Sequence, residues 1–307
     1  MAGKVGGKYV KQRIVFFLYI KTMDKGRIIF IDVIKCICII WLVGLWHMSN
    51  YTSYEGVFAH YILNDYGSCL TKTSLHLFTF FTGFFTNVYF STGNHNSVGF
   101  YIHKLKKTYI LFALSAITLY FIPNPWDGGS WMSFSQLAFS LFGLGIIYPT
   151  PAPNTLWYMN MILFFYIIAP LLLSSSYLRS IGKVLTVFIM AAVILKLSGG
   201  AVFDGRFFWY FPTFILGLFC PTIILNRIWS IRTSTSKLGR WNILKLICHI
   251  SESCIVVYLF HRQFVYVFHQ WLGIPLMITA FLVFICSYLL YAQYNRFIKK
   301  TLGPSLR

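Results

Sequence analysis

Long apolar runs, each close to the length of a bilayer-crossing helix and separated by short polar breaks, constrain this chain more than any other feature. A spanning helix needs about 20 predominantly apolar residues and satisfies its backbone polar groups internally. Candidate spans lie at 29–48, 70–90, 108–122, 133–148, 156–173, 181–197, 207–225, 244–268 and 273–294. Charged residues make up 11% of the 307-residue chain, less than half the roughly one quarter usual in soluble domains. Length alone would allow two soluble domains, but this composition does not support them. The expected fold class is all-α, a polytopic transmembrane helical bundle of about nine to ten membrane segments.

Charge then predicts orientation. The chain carries 26 Lys and Arg against 7 Asp and Glu, and basic residues accumulate in cytoplasmic loops. Lys11, Arg13, Lys21, Lys25 and Arg27 place the leader inside. Glu55 and Asp65 place the next loop outside, and YIHKLKK (101–107) returns inside. The loop with Arg227, Arg232, Lys237, Arg240 and Lys245 also belongs inside, which requires an even number of crossings between the two basic loops. Five candidates intervene. The weakest, 133–148, contains three serines, a glutamine and two glycines and reads as half-embedded. Arg179 and Lys183 then fall inside and Asp204 outside. The N- and C-termini are predicted cytoplasmic in a multi-pass protein of the plasma (inner) membrane.

This charge is explained by topology and by attraction to anionic headgroups. A nucleic-acid partner would need a basic module for which no segment is long enough. The seven cysteines lie mostly in apolar segments without metal-ligand spacing, so no metal site is expected. Residues 1–22 read as a basic N-terminal extension, with Met23 an equally natural start. Residues 23–307 read as one membrane domain.

The stretch KCICIIWLVGLWHM, residues 35 to 48, carries an imidazole at one end and has Asp32 and Lys35 at the other. A helix places His47 about 20 Å from that charged mouth. Ionisable groups at membrane depth usually face a bundle interior or a watered cavity. His76 and His261 fall at similar depth, and Trp157 opens a span from the same side. Imidazole is the commonest general base. The plainer role for one such histidine is a bond to water or a headgroup. YIHKLKK reads either as a solvated cytoplasmic loop or as a clamp for a phosphorylated donor. Gly83, in SLHLFTFFTGFF, offers a close helix approach.

Five stretches together resemble integral-membrane acyltransferase family 3, bacterial O-acyltransferases of cell-surface glycans, over roughly residues 25 to 295. RIIFIDVIKCICIIWLVGLWH resembles the family's opening helix. LFTFFTGFF resembles its Phe-rich stretch, with Thr82 at a usual Ser. FYIHKLKKTYILF resembles the basic loop, with Lys104 and Lys107 in place of paired arginines. NTLWYMNMILFFYIIAPLL resembles the Leu-Trp-Phe opening of a later span, with Tyr158 for Phe. ISESCIVVYLFHRQF resembles the penultimate span, with Cys254 at a usual Ser and Tyr258, Leu259 and His261 matching.

The resemblance implies transfer of an acyl group, most often acetyl, from acyl-CoA to a sugar hydroxyl, with His47 as general base. Lys104, Lys107 and either Lys35 or Arg27 would meet the phosphates of coenzyme A. Trp157, Tyr258 and His261 would serve the oxyanion. The acyl-CoA is a donor substrate, no permanently bound cofactor is implied, and the acceptor is a glycan or lipid-linked saccharide. One departure stands out. The interval from Lys35 to His47 is one residue longer than the family's usual spacing, a rotation of about 100° on a regular helix. Either a π-bulge at that point absorbs it, or Lys35 is a bystander and Arg27 the basic partner. The rival reading is a flippase or exporter of a polysaccharide intermediate, which a pseudo-repeat between halves would favour.

Overall fold

The computed structural model describes residues 29–51, 62–91, 97–122, 131–146, 156–174, 183–185, 188–189, 192, 204–219 and 242–302. Arg27, the 1–22 extension and the basic loop around Arg227 to Arg240 lie outside these residues, as does most of the expected span 181–197. Among the described residues every regular element is helical. The main helices are α1 (Ile29–Ile39), α2 (Asp65–Ser91), α3 (Ser97–Lys104), α4 (Ile110–Tyr120), α5 (Phe134–Leu141), α6 (Trp157–Ser174), α7 (Gly205–Phe219), α8 (Asn242–Val265) and α9 (Leu276–Leu302). Among the described residues two stretches are long and apolar enough to cross a membrane, Phe30–Asn50 and Leu276–Ile298, and Trp157–Leu173 is a shorter apolar helix.

The first span is not a regular α-helix. After α1 the chain winds as a π-helix from Ile40 to His47, then closes with an α turn, Met48–Tyr51. A π turn closes its hydrogen bond over five residues rather than four, so it takes up one extra residue. The interval from Lys35 to His47 therefore contains π turns, and His47 faces α8.

α2 and α7 approach most closely. A Cβ on Gly83 would lie 2.8 Å from the Leu218 nitrogen and closer still to the Phe214 carbonyl. A Cβ on Gly217 would in turn meet the Phe80 carbonyl oxygen and, at 2.9 Å, its carbon. Two glycines thus interlock backbone against backbone, an approach that a residue with a Cβ would block. The Asn87 side chain donates to the Leu218 carbonyl across the same contact.

The segment expected to be half-embedded forms only α5, eight residues long. At 1.5 Å per residue that is about 12 Å, too short to cross. Its ends are set locally. Ser133 and Gln136 form a capping box at the start, and Gly143 takes φ 71° just after the end.

The core runs along the middle of the bundle, with Leu42 and Val43 of the π-helix, Phe112 of α4, Phe165 of α6, Phe214 of α7 and Val257 of α8 almost fully buried. Large apolar side chains also face outward at mid-helix, among them Ile37, Leu114, Ile117, Leu171, Phe281 and Leu289.

Candidate active site

A cavity of about 530 Å³ opens between α1, α2, α6 and α8. Three of the sequence-predicted lysines line it: Lys35 from α1, Lys104 from the end of α3 and Lys107 from the π turn Leu105–Tyr109 that follows. Asp32 and Glu252 line it too, so positive charge exceeds negative by one.

Aromatic rings hold two of these cations. Lys35 Nζ sits 4.8 Å from the centroid of Phe85, and Lys104 Nζ sits 4.2 Å from that of Tyr166. Phe100 flanks Lys104 at 5.5 Å. Ring faces attract ammonium groups without neutralising them, so the charge remains available to an anion. Burial lowers the Lys104 pKa to about 8, because desolvation disfavours the charged form. Below that pH Lys104 is an ammonium in a partly dry pocket, where an electrostatic contact is stronger than in water.

One wall is a helical stripe of α2, with Phe78, Phe81, Thr82 and Phe85 at spacings of three and four residues that place them on one face. The floor is polar and fixed. Ser251 of α8 donates to the Asp32 carboxylate, and the Cys254 thiol donates to the Lys35 carbonyl at 3.7 Å. Both bonds tie α8 to α1. The Cys254 thiol is thus spent on a structural bond, while Ser253 donates to the His249 and Ile250 carbonyls of its own helix.

At the far end of the cavity stand Ile39, Tyr158 and Tyr258. Tyr158 and Tyr258 meet edge to face with centroids 5.5 Å apart. Tyr158 is fixed from behind, its hydroxyl 3.2 Å from the Leu75 carbonyl, to which it donates, and 3.0 Å from Thr79 Oγ1.

Beyond Tyr258 lies a pair of imidazoles. His47 Nδ1 is 2.9 Å from His261 Nε2, and the rings stack with centroids 4.7 Å apart. Tyr258 touches both, at 6.2 Å from His47 and 5.9 Å from His261. His261 Nδ1 donates to the Tyr258 carbonyl at 2.7 Å. Both ring nitrogens of His261 are therefore engaged, an arrangement unsuited to the oxyanion role expected of it.

His76 and Trp157 stand apart from this pair. His76 bonds Thr213 of α7 at 2.8 Å and packs on Tyr210. Trp157 does not line the cavity. Its ring carries the Arg206 guanidinium at 4.2 Å, and Arg206 is paired with Asp204. Burial raises the Asp204 pKa, but the bonds and charge of Arg206 outweigh it and hold the carboxyl below its ordinary range. Trp157 meets the lining residue Tyr158 directly and, through Tyr210, by a second ring contact.

Several lining residues went unmarked in the sequence. The lining rings under the lysines, Phe85 and Tyr166, pass for ordinary lipid-facing aromatics in so Phe-rich a chain. The stripe from Phe78 to Phe85 does carry a signal, its helical period ending beside Gly83.

The model of a family described as an acyltransferase domain matches residues 28–236, more than half of the chain. The match takes in His47, the three lysines and Trp157, and ends before α8 with Tyr258 and His261. No curated protein matches the chain, and no solved structure does. A family match of this extent makes the chain a member of acyltransferase family 3.

Proposed function

We propose that this protein is a multi-pass membrane O-acyltransferase that moves an acyl group, most often acetyl, from acyl-CoA to a hydroxyl of a cell-surface or exopolysaccharide sugar. The observation that carries the reading is a cavity with Lys35, Lys104 and Lys107 along it and Tyr258, whose ring packs against His47, at its end. Outward-facing apolar side chains such as Ile117, Leu171 and Phe281 support placing further helices of the bundle in lipid.

In this scheme coenzyme A enters from the cytoplasmic face. Its phosphates meet the lysines as point charges, and its pantetheine arm runs along the Phe78–Phe85 stripe towards Tyr258. The sugar hydroxyl approaches from the other side, where His47 takes its proton as the oxygen bonds to the thioester carbonyl carbon. The tetrahedral intermediate collapses, the C–S bond breaks, and the proton passes from His47 to the sulfur. Tyr258, at the junction, is the remaining candidate donor to the oxyanion. No acyl-enzyme is needed.

Vesicles containing the purified protein test this with isotope-labelled acetyl-CoA outside or inside and a bacterial glycan fraction as acceptor. Label should pass to glycan only when acetyl-CoA is on the side of the lysine mouth. Glycan movement across the vesicle wall without label transfer would instead make the protein a transporter.

A further inference from the structure

We infer that His261 is the positioning residue of His47, holding it in the tautomer whose Nε2 receives the acceptor's proton. The inference rests on His47 being the base proposed above.

The tautomer follows from which atoms can donate. The Tyr258 carbonyl oxygen lies 2.7 Å from His261 Nδ1, and a carbonyl only accepts, so the hydrogen is on Nδ1. The opposite tautomer would set a nitrogen lone pair against the oxygen lone pairs at that distance. With both rings neutral, His261 Nε2 then carries a lone pair. The hydrogen in its 2.9 Å contact with the other ring must come from His47 Nδ1. A neutral imidazole has one N–H. His47 Nε2 is therefore the basic nitrogen, and the more common form, with hydrogen on Nε2, is excluded while His261 is in place.

Two features make this a property of the fold. The bond to Tyr258 spans three residues of one helix, so the α8 backbone itself sets the His261 ring. The π-helix Ile40–His47 delivers His47 to that ring from the facing helix. When His47 gains a proton on Nε2, its Nδ1–H still points at His261 Nε2, and the new charge is shared along the bond towards the Tyr258 carbonyl. Where histidine bases are usually oriented by a carboxylate, here the orienting group is an uncharged imidazole anchored to backbone.

The test uses the full-length protein in detergent with nitrogen-15 histidine. The His47 signals, assigned by their loss in His47→Gln, are read without substrate. Wild type should show hydrogen on Nδ1 and none on Nε2. His261→Leu should convert His47 to the Nε2–H form. His261→Gln, whose side-chain oxygen falls where Nε2 stood, should retain the wild-type pattern. In acetyl-CoA turnover His261→Leu should lose about 10–100-fold in kcat with KM little changed, and His261→Gln should recover most of it. A purely structural role would move neither the tautomer nor the split between kcat and KM. Wild-type His47 with hydrogen on Nε2, or a His261→Leu protein with unaltered tautomer and kcat, overturns the inference. Undiminished turnover in His47→Gln defeats the base reading instead and leaves the tautomer result standing separately.

Discussion

Replacing Gly217 by alanine tests the packing that frames the cavity. The added Cβ would fall on the Phe80 carbonyl, with 2.9 Å to its carbon and 3.0 Å to the Phe84 nitrogen. All three are backbone atoms of α2 and cannot rotate away, so α2 and α7 must separate by roughly 1 Å, a gap that forfeits a quarter to a half of each contact's attraction. Overpacking of this kind costs about 1–3 kcal/mol. Alanine returns about 0.5–1 kcal/mol through its better helix propensity, leaving a net loss of about 1–2 kcal/mol. Gly83→Ala should lose a similar amount, and the double variant less than the total of the two, because the first separation makes room for the second. Gly44→Ala and Gly205→Ala are the controls. The nearest atom to a Cβ at Gly44 is 3.5 Å away, and at Gly205 nothing lies within 4 Å. Equilibrium unfolding in mixed micelles, followed by tryptophan fluorescence, gives the comparison. If Gly217→Ala is no less stable than Gly205→Ala, the two helices do not meet through their glycines and this reasoning fails.

Two further outcomes follow from charge and capping. Lys104 titrates near pH 8 in the free protein, so acetyl-CoA affinity should weaken as pH rises from 7 to 9 and the ammonium is lost. Lys104→Arg, which keeps its charge, should flatten that profile in calorimetric titration. The same burial disfavours the charged folded form, so its cost to stability is present below pH 8 and is relieved as pH rises towards the unfolded value. Asp204 accepts from the Arg206 backbone N–H at 2.9 Å as the cap of α7. Asp204→Ala should therefore lower stability by about 1 kcal/mol in the same micelle assay. Asp204→Asn should change little, since Arg206 is partly exposed and such pairs contribute at most about 1 kcal/mol. The Asp204 carboxyl sits below its ordinary range, so its contribution is present above that range and disappears as pH falls through the folded value.

The helical class and three of the residues facing the cavity, Lys35, Lys104 and Lys107, were legible because each is written locally. Apolar run length marks helices, Lys35 stands at the head of the run that ends at His47, and Lys104 and Lys107 fall just before the span expected at 108–122. Gly83 advertised a close approach, but its partner Gly217 has no local mark. The extra residue between Lys35 and His47 pointed to a π turn, which the helix takes from Ile40 to His47. What no local pattern could supply was pairing across distant segments. His76 and His261 are both plausible neighbours of His47 by depth, yet only His261 faces it, because α8 packs on α1 while α2 turns His76 towards Thr213 of α7. Trp157 opens its helix at the right level, but Arg206, far along the chain, covers its ring.

The central claim is that His47 takes the acceptor's proton at the end of a donor cavity. Release of free CoA from acetyl-CoA by purified wild type and His47→Ala, with a membrane glycan fraction present and folding checked by a common thermal melt, tests it most directly. A loss of at least about 10²-fold in the variant is expected for a missing general base. Equal release by the two folded proteins would contradict the claim.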